Sequence, residues 1–145
     1  MRNARRIATT LTAAALAVSA LTAVPALAAT KGPRPVDELL PSARNGHATW
    51  IDATWHTDRT VCDARLVLWG NVQVDVGYPS GRTYTSFARD STLSKGETDV
   101  AAFRVTPHYP GRALAFLGGT LTYTDCARHP RTSATDVGYV LPVHN

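Results

Sequence analysis

From Cys62 to Val76 the side chains alternate in kind. Cys62, Ala64, Leu66, Leu68, Val72, Val74 and Val76 share one parity, while Asp63, Arg65, Asn71, Gln73 and Asp75 share the other. Period 2 is the pattern of a strand with one face on a core. Val67 and Trp69 fall on the polar parity, which predicts that this second face is partly covered too. Gly70-Asn71 interrupts the run. A two-residue hairpin there, with strands 62–69 and 72–79, would pair Leu68 with Gln73, and the apolar sets would disagree across the pair. Either one long bent strand runs through, or a bulge or extra loop residue resets the parity. The bulged or looped turn is preferred, because glycine weakens a strand interior.

The amino terminus does not belong to that pattern. Arg2, Arg5 and Arg6 head an apolar, alanine-rich stretch from Ile7 to Ala20, and Ala26-Leu27-Ala28 follows Pro25 as a small-x-small site. Residues 1–28 read as a secretory signal peptide, cleaved after Ala28 or, as second choice, Ala29. The apolar run is short for a membrane anchor, so no stable membrane insertion is expected after cleavage. Three of the fifteen basic residues lie in this segment and no acidic ones do, leaving twelve Lys and Arg against eleven Asp and Glu. The remaining charges alternate in sign along the chain and form no basic stripe, so no nucleic-acid partner is expected.

About 117 residues remain, enough for one domain with a core of its own. An exported chain with two cysteines is expected to join them, here Cys62 to Cys126, 64 positions apart. Closing that loop is worth about 4 kcal/mol in the chain-entropy model. No CxxC motif favours metal or redox use of the pair.

Residues 29–46 read as an N-terminal leader. Lys31 to Pro35 is stiff and polar, and Val36 to Leu40 is an apolar patch compatible with an edge strand, a half-turn of helix or a flexible tether. The fold proper is expected over residues 47–145. In Ala48–Trp55 the set Thr49, Ile51, Ala53 and Trp55 makes the better core face and sends Trp50 outward. Thr83–Ala88 suggests a short strand. In Thr98–Val105, Ala101, Phe103 and Val105 form one face. Arg112–Leu117 and Thr120–Cys126 are either a hairpin turning at Gly118-Gly119 or one strand kinked there. Val137–Val143 suggests a last strand, with Pro142 at an edge or an end. Seven or so short strands with turns between them, and no amphipathic helix of useful length, predict an all-β, antiparallel sandwich or barrel.

Cys62 and Cys126, on strands far apart in sequence, resemble the intersheet bridge of immunoglobulin-like domains. The stretch LSKGETDVAAFRVTP at 93–107 resembles a segment common in bacterial immunoglobulin-like modules, where a Lys-Gly-Glu turn leads into a core strand. The arginine-headed, alanine-rich leader is similar to those of secreted actinobacterial proteins. The resemblance covers roughly residues 48–143. It implies an immunoglobulin-like β-sandwich with one disulfide. Two features depart from the family pattern: Tyr123 lies three positions before Cys126 rather than two, and Trp69 follows Cys62 by only seven.

Chemistry is sparse. No serine sits in a GxSxG elbow. Asp52, Asp63, Asp75, Glu97 and Asp99 are spread like strand-surface or turn residues rather than paired across a groove. His47, His56, His108, His129 and His144 contain no i,i+2 or HxxxH pair, and residues 90–97 are too poor in carboxylates for calcium. No cofactor, metal or catalytic residue is assigned. The leading expectation is a secreted, extracellular, non-catalytic binding or structural domain whose partner is an extracellular protein or a cell-wall glycan or other cell-envelope polymer. The candidate surface is Trp50, Trp69, Tyr78, Tyr84, Tyr109 and Arg112, with Tyr139 a further aromatic. The alternatives are a small secreted hydrolase and a secreted enzyme inhibitor presenting the rigid His108–Arg112 loop.

Overall fold

The computed structural model describes residues 32–145. The signal-peptide and cleavage-site reading for residues 1–28 lies outside the described residues. Eight strands run in chain order: β1 (Arg34–Pro35), β2 (Ala43–Arg44), β3 (Thr49–His56), β4 (Cys62–Trp69), β5 (Val74–Gly77), β6 (Thr98–Pro107), β7 (Ala113–Thr124) and β8 (Thr132–His144). They form two four-stranded sheets. The first has the order β1-β3-β6-β5 and the second β2-β8-β7-β4. Every pairing is antiparallel except the short β2–β8 contact.

The alternation read from the sequence positions the core. Ala64, Leu66 and Leu68 of β4 are buried and the residues between them are exposed. Ile51, Ala53 and Trp55 of β3 and Ala101, Phe103 and Val105 of β6 face them from the other sheet. Across the interior Trp55 meets Phe87 edge-on at 6.3 Å, and Phe103 meets Tyr139 at the same separation. Each fully buried side chain of this size contributes on the order of 1.5–3 kcal/mol. Tyr139, counted among the surface aromatics above, is therefore a core residue: only 1% of it is exposed, because Leu117, Tyr139 and Leu141 all lie on the inner parity of the second sheet. Its hydroxyl and the Trp55 indole N–H are both buried without a hydrogen-bond partner. The indole faces the phenol without reaching hydrogen-bond geometry, and burial dominates, pushing the Tyr139 phenol up.

Several local expectations change. β4 and β5 do not form a hairpin. β4 lies beside β7 in the second sheet and β5 beside β6 in the first. The parity conflict across Gly70-Asn71 is resolved this way: Leu68 and Val74 fill one core from opposite sheets. The crossing is tight. Asn71 Oδ1 accepts from the Gln73 N–H, and a β-carbon on Gly70 would lie 2.8 Å from both Cβ and the carbonyl oxygen of Val74. Val72 is fully exposed at the tip of this connection, not in the core. Val67 and Trp69 also point to solvent, so the outer face of β4 is open.

Gly118-Gly119 is no turn. β7 runs through it as one strand, pairing Trp69 with Gly118 and Leu68 with Gly119 on one side and β8 on the other. Residues 83–88 make isolated bridges only, Thr85 to Leu66 and Phe87 to Ala101, and so stitch the two sheets together along one side. The stretch read as a leader is laced into both sheets along the other side. β1 pairs with β3, Leu39 bridges to Val140, the Leu40 side chain is buried, and β2 pairs with β8.

Cys62 and Cys126 are joined, with Cα atoms 5.2 Å apart. The bridge does not cross the sandwich. It links the start of β4 to the chain just beyond β7, two neighbours in the same sheet. A bulge between Cys62 and Arg65 and left-handed backbone at Asp63 (φ 52°) and Cys126 (φ 57°) flank it. Such conformations cost about 1 kcal/mol or more for a non-glycine residue and persist where the surroundings hold them, here the bridge itself.

Candidate functional site

The outer face of the second sheet is divided. Towards the disulfide it is polar: Thr120 Oγ1 donates to Asp136, Thr124 Oγ1 donates to Asp63, and Arg65 stands exposed on β4. Towards the other end it is apolar. Trp69 (52% exposed), Val67, Leu114, Phe116 (68%) and, on the leader, Leu39 (64%) all face solvent. Register makes them neighbours. Phe116 pairs with Val140, which bridges to Leu39, and Leu114 pairs with Pro142. Trp69 pairs with Gly118, and its indole occupies the space a β-carbon there would take, with Nε1 2.6 Å from that position. Glycines at 118 and 138, themselves paired, leave a shelf between the indole and β8. Glu38, Phe116, Gly118, Gly138 and Val140 line a shallow depression on it. Large apolar side chains gathered on a flat sheet face are what interaction surfaces expose.

The six residues singled out from the sequence do not share a surface. Trp69 is on this apolar face. Trp50 is exposed on the outer face of the opposite sheet, paired with Arg104. Tyr78 is half-buried, and its hydroxyl both donates to the Leu68 carbonyl (2.9 Å) and accepts from the Leu68 N–H (2.8 Å). It thereby occupies the edge of β4 as a pairing strand would. Tyr84 is half-buried, with the guanidiniums of Arg65 and Arg82 lying 5.2 and 5.9 Å from its ring centre. Tyr109 is half-buried with its hydroxyl accepting from Asn71, and Arg112 is exposed beyond it. The loop containing them is fastened down. Asn45 accepts from the Tyr109 N–H and donates to the Gly111 carbonyl, and the His108 N–H donates to Gln73. Phe116 and Leu114 carry no sequence signal as surface residues, because a strand apolar on both parities does not declare its outer face; Val67 sits on a face expected to be covered, and Leu39 in a segment with no strand pattern.

Ionisable pairs lie elsewhere. His108 Nε2 is 2.9 Å from Asp75, and His56 Nε2 is 3.2 Å from Asp58, whose other oxygen takes Arg34 at 2.8 Å. The Arg34 hydrogen bond, with His56 assisting, holds the Asp58 carboxyl below its usual value. Backbone N–H groups of Arg131 and Ala127 do the same for Asp125 beside the disulfide. Among the described residues no group of three or more His, Cys, Asp or Glu could hold a metal ion. No described helix is long and apolar enough to cross a membrane.

No protein-family model matches the chain, and no curated protein sequence does. One solved structure, described as "AvmM Catalyzes Macrocyclization in Alchivemycin A Biosynthesis", aligns over 75% of this chain and 87% of that one at 10% identity, with a TM-score of 0.35. A likeness this distant carries no argument for either fold or activity.

Proposed function

We infer that this is a secreted, extracellular, immunoglobulin-like domain that binds rather than catalyses, taking an extracellular protein or a cell-envelope polymer on the apolar half of its second sheet. The strand order supports the fold reading. β1-β3-β6-β5 and β8-β7-β4 follow the ABED and GFC orders of immunoglobulin sandwiches. The in-sheet disulfide departs from that family's intersheet bridge. The observation that carries the binding reading is the run of exposed Trp69 on β4, Phe116 and Leu114 on β7 and, beyond β8, Leu39. A solvent-facing surface of this kind gains free energy when covered, at roughly 25 cal/mol per Å² of apolar area removed from water.

The test is retention of the chain from residue 29 onward by purified cell wall and by proteins of the culture supernatant, beside a Trp69→Ser/Phe116→Ser variant of equal thermal stability. Retention lost in the variant supports the reading. Retention of neither form, or of both equally, refutes it.

A further inference from the structure

We propose that the surface around Tyr84 is a second, separate binding site, for a small organic anion with an apolar body and a carboxylate or phosphate head. Two depressions meet at this tyrosine. One, of about 220 Å³, is lined by Pro79, Arg82, Tyr84, Phe87, Ala88 and Ala102, with Thr85 and Ser86 completing it. The other, of about 250 Å³, adds Arg65 together with Asp63 and Asp90. The guanidinium carbons of Arg65 and Arg82 lie 5.2 and 5.9 Å from the centre of the Tyr84 ring. Neither arginine forms an ion pair among the described residues. The ring face attracts each cation and restrains it, so the forks of hydrogen-bond donors are held without a carboxylate to satisfy them.

The two acids decide the orientation. Asp63 accepts from Thr124 and Asp90 from the Thr92 N–H, and both line the depression that Arg65 and Arg82 share, not the one that Arg82 lines without Arg65. The smaller depression has Arg82 as its one charged lining residue. An anion therefore seats its head on Arg82 in the smaller depression. Its apolar body rests against Phe87, Ala88 and Ala102. The apolar part of the lining favours such a body over a bare inorganic ion, since burying it removes apolar surface from water. This site does not rest on the apolar half of the second sheet, and its occupancy is read separately.

The experiment is a titration of the chain from residue 29 onward followed by NMR, reading the Arg82 Nε–Hε, the Tyr84 ring and the Ala88 and Ala102 methyl groups. The probes are benzoate, phenyl phosphate, neutral benzamide and inorganic phosphate. Saturable shifts confined to these groups with benzoate or phenyl phosphate are expected, and whichever binds more tightly identifies the head. Benzamide and inorganic phosphate are each expected to bind about tenfold more weakly, the loss that one charge-assisted contact or a small apolar burial accounts for. Arg82→Ala should weaken benzoate about tenfold, and Ala102→Leu, which fills the depression, should abolish its shifts. Trp69→Ser/Phe116→Ser should leave them unchanged. Equal binding of benzoate and benzamide, no effect of Arg82→Ala, or shifts shared by exposed arginines such as Arg104 and Arg112 would overturn the proposal.

Discussion

Gly118 and Gly119 are adjacent, yet replacing them with alanine should have unequal costs. A β-carbon at 119 would run into the buried Leu68 side chain and sit 3.1 Å from both the Val137 side chain and the Val67 carbonyl oxygen. Leu68 is 4% exposed and has nowhere to go, and the carbonyl belongs to the paired strand. Overpacking of this kind costs about 1–3 kcal/mol, offset by the roughly 0.5–1 kcal/mol that alanine regains in backbone entropy. With three tight contacts the cost falls in the upper half of that range, about 2–3 kcal/mol, and the expected net loss for Gly119→Ala is about 1–2 kcal/mol. At a urea slope of about 2 kcal/mol per M, that lowers the midpoint by about 0.5–1 M. At Gly118 the three atoms nearest the β-carbon all belong to the Trp69 indole, which is half-exposed and free to swing outward. Gly118→Ala should therefore stay within about 1 kcal/mol of the parent while moving the Trp69 indole N–H resonance. Urea unfolding and a proton–nitrogen spectrum measure both. Equal losses at the two positions, or no loss at 119, would refute the continuous β7 strand and its register against β4.

The remaining predictions concern the bridge, the core and the acids. Reduction should add 2 Da to the mass as Cys62 and Cys126 take up hydrogen, and the double alanine variant should lose about 2–4 kcal/mol by urea unfolding. Trp55→Ala should cost about 3–5 kcal/mol in the same assay, because Trp55 is wholly buried between the sheets. Asp58 and Asp125 have lowered carboxyl values in the folded state, so their contribution is present above the unfolded value near pH 4 and is lost as pH falls through the folded ones. Arg34→Ala, which removes the main cause at Asp58, should flatten part of that acid dependence, read as unfolding midpoint against pH. The Tyr139 phenol is raised by burial, so stability should decline as pH rises above about 10, the unfolded value. One tyrosine should then ionise only with unfolding in a spectrophotometric titration.

Much of the interior was legible because period 2 reports burial directly. The inward sets of β3, β4 and β6 are the ones the alternation selects, and Trp50 does face outward. What was not legible is partner choice. The order of residues on either side of Gly70-Asn71 signals a change of parity. It does not distinguish a bulged hairpin from a crossing between sheets, since both satisfy the same local pattern. The partners of the leader are hidden for a related reason. Pro33, Pro35 and Pro41 suggest a tether, but the backbone between them finds Thr54 and Val140 as partners 18 and 100 positions away.

The candidate surface shows the same division. The sequence by itself determined that two cysteines could pair, that the described residues fold predominantly as β-strands, and which side of most strands is apolar, because these follow from residue chemistry and a two-residue repeat. Only the tertiary structure decided that Tyr139 is core, that the bridge lies within one sheet, and that Trp69, Phe116 and Leu39 meet. In β7 both parities are apolar, from Ala113 to Leu117. Which set is left in water depends on which face of the second sheet β3 and β6 close on, and that is set by packing between elements distant along the chain.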